Sequence, residues 1–132
     1  MCSSDLIRAQ VPKEMIVGMR MSGDEHDQEG MTEDQSVAIA RALAPELDYL
    51  NVIAGTSASA SGAAHIVPSM ANAHGYVAPF AQKVKQATGG AVFVAGRINQ
   101  PQEAEHILAA GAADMCGMTR AMIADQIGRA HV

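Results

Sequence analysis

The fold is decided by residues 89–117, GGAVFVAGRINQPQEAEHILAAGAADMCG, in which two short apolar runs flank a segment with helical spacing. The apolar runs, Ala91–Gly96 and Ala113–Gly117, predict strands. Pro101 lies where the first turn of a helix is expected, and its missing N–H costs little there. A strand, a helix and a strand in this order predict a βαβ unit with a parallel sheet. The face of this helix that we expect to be buried carries Ala104, Ile107 and Leu108.

The same alternation of strands and helices extends towards the N-terminus. Apolar runs predict further strands at Met15–Arg20 and Asp48–Ala54. Thr32 followed by Gln35 is a capping box, which predicts a helix that starts there and stops at Pro45. Apolar residues at helical spacing predict another helix, whose buried face carries Val77, Phe80, Ala81 and Val84.

The remaining segments complete four β/α units. We expect a long loop of small residues over Gly55–Gly75 and a last helix over Met118–Asp125. The strands are continuously apolar, which predicts that both faces of the sheet are covered, as in a parallel α/β fold. Four such units in 132 residues fit a small open doubly wound sheet or half of a TIM (β/α)₈ barrel, which needs roughly 250 residues when complete.

Composition and charge exclude several classes of protein. Nine Lys and Arg residues against 14 Asp and Glu residues give a net charge of −5, so we expect no binding to nucleic acid or to anionic membranes. The apolar stretches are too short to span a bilayer, and we recognise no signal peptide. Two cysteines, Cys2 and Cys116, are too few for a disulfide scaffold. We therefore expect a cytoplasmic protein in which a local group of residues binds any phosphate ligand.

Both ends of the sequence differ from the patterned segment between them. Back-translated, Cys2–Leu6 and Ile127–Val132 resemble readings of a common sequencing adapter in opposite orientations. We therefore expect residues 1–6 and 126–132 to be non-native ends that flank one domain over residues 7–125. The alternative is an ordinary pair of frayed termini.

Three arginines, Arg20, Arg97 and Arg120, lie at the carboxyl ends of predicted strands, which is the sheet edge where parallel α/β folds bind ligands. Gly96 and Gly117 precede two of them, and glycine lets backbone N–H groups approach an anion closely. The set predicts a phosphate site. The alternative is that each arginine pairs with an acid of a neighbouring loop.

Five motifs occur along the chain in this order: Val17–Ser22, Gly30–Thr32, Asp48–Val52, Ala95–Ile98 and Ala113–Arg120. In this order they resemble the old yellow enzyme family of NADH:flavin oxidoreductases. The resemblance covers residues 15–125 and implies the second half of an FMN-binding barrel, strands five to eight. The loop around Ala64–Met70 is similar to that of the amine-oxidising and N-demethylating branch, the relatives of trimethylamine dehydrogenase and N-methylproline demethylase.

The resemblance also implies roles for individual residues. Arg20 would lie against the pyrimidine edge of the isoalloxazine and stabilise the anionic reduced flavin. The FMN phosphate would be held by Gly96, Arg97, Thr119 and Arg120. His65 and His74, in the substrate-facing loop, are candidate proton donors, because histidine titrates near neutral pH. The alternative for each histidine is a solvated or packing residue.

The sequence also lacks parts of the family pattern. The first four strands are missing, and with them the usual His/Asn or His/His substrate pair. The cysteine cluster of an iron–sulfur centre is also missing, so such a centre would belong to the parent protein outside this chain. We predict no metal site, with Cys116 as a core thiol. Six acids, which we interpret as a solvated face, are Asp24, Glu25, Asp27, Glu29, Glu33 and Asp34.

Three functions remain open at this point. The first is a fragment of an FMN-dependent oxidoreductase that transfers hydride between a donor, NAD(P)H or an amine, and a small organic substrate. The second is a flavin-free phosphate-binding barrel enzyme, and the third is a small non-catalytic α/β binding module. Half a barrel would leave two strand edges exposed, so we also expect association into a homo-oligomer.

Overall fold

A computed structural model of the chain describes residues 3–125, with side chains from Leu6 onward. The strands are β1 (Gly18–Ser22), β2 (Tyr49–Ile53), β3 (Ala91–Ala95) and β4 (Met115–Gly117). The helices are α1 (Ser3–Gln10), α2 (Glu33–Leu43), α3 (Ala60–Ile66), α4 (Ala78–Thr88), α5 (Pro101–Ala109) and α6 (Thr119–Ala124). A single 3₁₀ turn, Ala44–Glu46, follows α2 at Pro45, where the sequence predicts the helix to stop.

The strands form one parallel sheet in the order β1-β2-β3-β4. This confirms the predicted α/β class, and four consecutive parallel strands in chain order are consistent with part of a TIM barrel. One row of the register runs across the whole sheet and contains Arg20, Asn51, Phe93 and Met115.

The hydrophobic core lies on one face of the sheet. Alternate strand residues are buried there against α2, α4 and α5, because successive side chains of a strand point to opposite faces. The strand residues of this core are Met21, Leu50, Val52, Val92 and Val94. The helix residues buried against them include Ala40, Ala81, Val84 and Ile107.

The prediction that both faces are covered is wrong for residues 3–125. Tyr49, Asn51 and Phe93 point to the face opposite the core and are only half-buried. The rings of Tyr49 and Phe93 stack there with their centroids 4.6 Å apart. Aromatic residues such as Tyr49 and Phe93 make a strand continuously apolar even where no helix covers them. The sequence pattern therefore could not reveal which face of the sheet was open.

The first strand begins three residues later than predicted. Met15 and Ile16 are 50% and 74% exposed, and β1 starts only at Gly18. Side chains bind the backbone before it: Arg8 Nη1 donates to Met15 O at 3.0 Å, and Val17 N donates to Asp48 Oδ2 at 2.7 Å. Val17 O also accepts a backbone hydrogen bond from Asp48 N at 2.8 Å, so these side-chain contacts add to the backbone pairing just before β1.

Two helical predictions also need correction. The segment Gly55–Gly75 is not all loop, because it contains α3, whose N-cap Ser59 accepts a hydrogen bond from Gly62 N at 3.1 Å. In α5, Ile107 is buried as predicted, but Leu108 is 36% exposed.

The proposed non-native ends remain predictions. Residues 126–132 lie outside the described part of the chain, as do residues 1 and 2, whereas residues 3–6 fall within α1. Within residues 3–125, no helix has both the length and the apolar character that crossing a membrane requires.

Candidate functional site at the carboxyl edge of the sheet

A cavity of about 170 Å³ lies at the carboxyl ends of all four strands. A parallel sheet brings the ends of its strands to one edge, and the loops that follow them form the cavity wall. The cavity brings together all five residues predicted to bind the cofactor, which are Arg20, Gly96, Arg97, Thr119 and Arg120. A second cavity, of about 1050 Å³, shares Arg97 and Arg120 with the first.

The smaller cavity is positively charged although the chain is acidic. Its wall contains three arginines and, among the described residues, neither Asp nor Glu. The guanidinium groups of Arg20 and Arg120 make no hydrogen bond or ion pair with any residue in the range 3–125. The alternative in which these arginines pair with loop acids therefore finds no support in the described chain. Unpaired guanidinium groups at a concave surface favour an anionic ligand.

Arg97 has partners of its own. Its backbone lies in the left-handed region with φ 51°. Nη1 donates to the carbonyl oxygens of Met70, at 3.2 Å, and of Asn72. Its own carbonyl oxygen accepts a hydrogen bond from Gly75 N at 3.2 Å. Arg97 therefore fixes a neighbouring loop as well as lining both cavities.

Gly96 is required for packing as well as for any approach to an anion. A methyl group at this position would lie 2.2 Å from Val77 Cγ2, far inside ordinary van der Waals contact. Val77 is completely buried just before α4. Glycine at this position therefore lets the end of β3 pack directly against the residue that precedes α4. This close packing determines the position of Arg97, the next residue in the chain.

His65 lines the smaller cavity, as its predicted role requires. Its Nδ1 lies 2.9 Å from Ser61 O, so this nitrogen carries the proton and donates to the carbonyl oxygen. Tyr76 Oη donates to the backbone oxygen of His65. These two contacts fix the ring and the backbone of the residue.

Sequence reasoning missed His26, which stacks on His65 with ring centroids 4.0 Å apart and planes at 23°. His26 adopts a left-handed backbone, with φ 51°, in the acidic loop after β1. Burial lowers its pKa, the nearby His65 lowers it further, and Asp24 opposes both effects. No local pattern signals this pair, because His26 lies in the loop after β1 and His65 lies in α3, which follows β2.

The structure does not bring His74 into either cavity. Its Nδ1 contacts Glu103 Oε1, while Glu103 Oε2 accepts hydrogen bonds from the backbone of Asn99 and Gln100 at 2.8 and 3.1 Å. Burial acts to raise the pKa of Glu103, but the bonds to His74 and the two backbone N–H groups hold it below its usual value. His74 therefore ties its loop to the start of α5.

The acidic segment is more ordered than a solvated face. Asp24, Glu25 and Asp27 are half-buried, and each carboxylate accepts a backbone N–H within the same loop. A hydrogen bond from Ser59 lowers the pKa of Asp27, with a further contribution from the backbone of Glu29. The solvated interpretation is therefore wrong for these three acids.

Cys116 is half-buried and packs against the core from β4. Burial raises the pKa of its thiol, which disfavours the thiolate that a metal would bind. Across residues 3–125, no group of three or more His, Cys, Asp or Glu side chains is arranged to hold a metal ion.

Fold and site together define a parallel α/β chain with a cationic site at the carboxyl edge of its sheet. The chain belongs to the NADH:flavin oxidoreductase / NADH oxidase family, whose sequence profile matches residues 5–127. The predicted resemblance is thereby confirmed.

The chain is also similar in sequence to two curated proteins. The chain is 34% identical over 121 residues to a probable N-methylproline demethylase of Rhizobium meliloti, and 32% identical over 121 residues to an N,N-dimethylglycine/sarcosine dehydrogenase of Chromohalobacter salexigens. Each alignment covers 90% of this chain but only 18% and 17% of the two relatives. The chain therefore spans less than a fifth of the length of the relatives it matches.

A solved structure supports the fold. The complex of 2-naphthoyl-CoA reductase with 2-naphthoyl-CoA superimposes with a TM-score of 0.71 at 24% identity. The match covers 86% of this chain and 17% of the reductase. At this identity the likeness concerns the fold alone.

Proposed function

We propose that this chain is the FMN-phosphate-binding part of an oxidoreductase that transfers hydride between a nicotinamide or amine donor and a small organic substrate. The observation that carries the proposal is a cavity that contains three arginines and, among the described residues, neither Asp nor Glu. Arg97 and Arg120 follow β3 and β4, whereas Arg20, which the sequence predicts at the end of a strand, lies inside β1. Family membership supports flavin as the cofactor, because the profile is that of flavin oxidoreductases.

The residues present fit the phosphate end of FMN. A volume of about 170 Å³ accommodates a phosphate group but not a whole flavin nucleotide. Arg120, together with the free edge of the Arg97 guanidinium, would bind phosphate oxygens through paired donors. Gly96 and Thr119 would contribute backbone N–H groups. The rest of the cofactor would extend beyond this cavity.

Arg20 and His65 have separate roles in the proposal. When bound, FMN supplies the hydride-transfer chemistry. Arg20, on the open face in the middle of β1, would provide the fixed positive charge that favours a reduced, anionic flavin. His65, whose Nδ1 proton is held by Ser61 O, would present Nε2 to a substrate as proton acceptor or, when protonated, as donor. We assign this role to His65 rather than to His74, which contacts Glu103 instead.

The finer assignments extend the same proposal to the parent protein. N-methylated amines are the substrate class that the names of the two relatives suggest. We further propose that the parent protein uses NAD(P)H as donor and forms a closed TIM barrel. The proposal also includes an iron–sulfur cluster outside this chain, a cytoplasmic location and homo-oligomerisation. The flavin-free and non-catalytic alternatives are not favoured, because the family profile covers residues 5–127.

The test is a titration of the chain with FMN and, separately, with riboflavin, followed by flavin fluorescence. Charge-assisted hydrogen bonds contribute about 1.5–3 kcal/mol each, so Arg120→Ala should weaken FMN binding about tenfold or more and leave riboflavin binding unchanged. Arg41→Ala is the matched control, because Arg41 is exposed on α2 and lines neither cavity.

Two outcomes would contradict the proposal. Wild-type chain that binds FMN no more tightly than riboflavin has no phosphate site. If the double variant Arg97→Ala, Arg120→Ala binds FMN with unchanged affinity, neither arginine belongs to the phosphate site.

A further inference from the structure

The guanidinium group of Arg97 has two edges with different surroundings. Both N–H bonds of Arg97 Nη1 are used by the loop, since Nη1 donates to Met70 O and to Asn72 O. The other edge of the group, formed by Nη2 and Nε, has no partner among residues 3–125. Because the guanidinium is planar and carries five donors, its two edges can serve different acceptors at the same time.

The loop held by Nη1 runs over residues 67–75, which we call the strap. Its residues Pro68, Ser69 and Met70 form one wall of the larger cavity. The hydrogen bonds within it are long, at 3.3 Å from Ala71 N to Ser69 Oγ and 3.3 Å from Asn72 N to Ser69 O.

The strap is fixed mainly from outside. Arg97 contacts it three times, twice through Nη1 and once where its carbonyl accepts Gly75 N. The pair of His74 with Glu103 adds a fourth tether at its far end. Met70, by contrast, is 88% exposed, and Pro68 is the one buried residue of the strap.

We propose that Arg97 is a positioning residue that bridges a bound phosphate and the strap. The phosphate would take the Nη2–Nε edge while Nη1 remains on the carbonyls of Met70 and Asn72. Phosphate binding would then order the strap over the larger cavity, and an ordered strap would strengthen phosphate binding by the same factor, because coupling between two sites is reciprocal. This inference rests on the proposed phosphate site.

The backbone of Arg97 fits such a role. With φ 51° it lies in a region that residues other than glycine rarely occupy. That conformation directs the carbonyl of Arg97 to Gly75 N while the side chain reaches Met70 and Asn72. Arg97 therefore ties the strap through both its backbone and its side chain.

Hydrogen exchange of the strap amides in the intact chain tests the bridge directly. Gly75 is the reporter, because its N–H donates to Arg97 O. Saturating inorganic phosphate, or FMN, should slow exchange of the Gly75 amide by about fivefold or more, the lower end of typical coupling between sites. Riboflavin, which has no phosphate, should not change it.

Two lysine variants separate the bridge from simple charge. Arg97→Lys keeps the positive charge but offers one ammonium group, so strap amides should exchange faster without ligand and phosphate should no longer slow them. Arg120→Lys alters the same cavity, and Arg120 makes no hydrogen bond to the strap within residues 3–125. It should weaken phosphate binding but leave the slowing of Gly75 exchange intact once phosphate is saturating.

Each failure has a distinct meaning. If wild-type chain binds phosphate and the strap amides do not respond, the bridge is refuted and the proposed function stands. If both lysine variants lose the response at full phosphate occupancy, Arg97 is not the connection. If wild-type chain binds neither phosphate nor FMN, both the proposed function and the bridge are wrong. The wild-type measurement alone decides the case if Arg97→Lys fails to fold.

Discussion

Replacing Gly96 by alanine should destabilise the chain through one contact. The added methyl group would lie 2.2 Å from Val77 Cγ2 and 2.9 Å from Val77 Cβ, whereas carbon atoms in good contact are about 3.5–4.0 Å apart. Val77 must therefore shift by more than about 1 Å, and it is completely buried at the start of α4. Overpacking of this kind costs about 1–3 kcal/mol.

Urea unfolding followed by circular dichroism measures this loss. With a urea dependence of about 1–3 kcal/mol per molar, a loss of about 2 kcal/mol lowers the midpoint by roughly 1 M. Gly90→Ala is the matched control, because the nearest atom to its new methyl group is Thr88 Oγ1 at 3.9 Å. That variant should be neutral or should gain about 0.4–1 kcal/mol from the stiffer unfolded chain.

A double-mutant cycle identifies Val77 as the cause. Val77→Ala removes the Cγ2 atom that lies closest to the new methyl group. The double variant Gly96→Ala, Val77→Ala should therefore be more stable than the sum of the two single losses by about 1 kcal/mol. Strict additivity, or a Gly96→Ala variant as stable as Gly90→Ala, would refute this explanation of the glycine.

Three further predictions concern the core, the histidine pair and the first strand. Ile107→Ala should cost about 2–5 kcal/mol in urea unfolding and the neighbouring Leu108→Ala at most about 1, because Ile107 is 7% and Leu108 36% exposed; equal losses would contradict the burial. Because the pKa of His26 is lowered in the folded state, the unfolded chain binds more protons below the ordinary value of 6.5, so stability should fall as the pH drops from 7.5 to 5.5. His26→Gln should flatten that dependence, and an unchanged slope would remove His26 as its source. Asp48→Ala, which removes the acceptor, should speed hydrogen exchange at Val17, whose N donates to Asp48 Oδ2 at 2.7 Å, and unaltered exchange would show that this bond does not hold the start of β1 in place.

Local signals in the sequence predict the strands and the helix starts. The capping box of Thr32 needs only Gln35, three residues away, and Thr32 N indeed donates to Gln35 Oε1 at 3.0 Å. Such a cap can be predicted without tertiary information, because it is decided within a few residues. Strand order cannot, because chain order alone is compatible with a doubly wound sheet as well as with half a barrel.

Contacts between distant loops could not be predicted in the same way. His26 meets His65 only because the loop after β1 and helix α3, which follows β2, lie together at one edge of the sheet. β1 starts later than the sequence predicts, and Asp48, which is distant in sequence, binds the backbone of Val17 just before it. The clustering of the three arginines was predictable, since strand ends converge, but the carbonyl partners of Arg97 depend on the path of a loop that has no periodicity.

The net charge of −5 misleads about this site because charges act locally and no described Asp or Glu lines the smaller cavity. Some carboxylates after β1 accept backbone N–H groups of their own loop, and others pair with basic residues, as Asp48 with Arg8 and Asp114 with Lys85, each at 2.7 Å. Arg20 and Arg120 are left without acidic partners in residues 3–125. Short-range pairs cancel within a few ångströms, whereas unpaired arginines at a concave surface are felt by a ligand. An acidic chain can therefore present a cationic site, and the local pairing rather than the total charge determines which ligands it attracts.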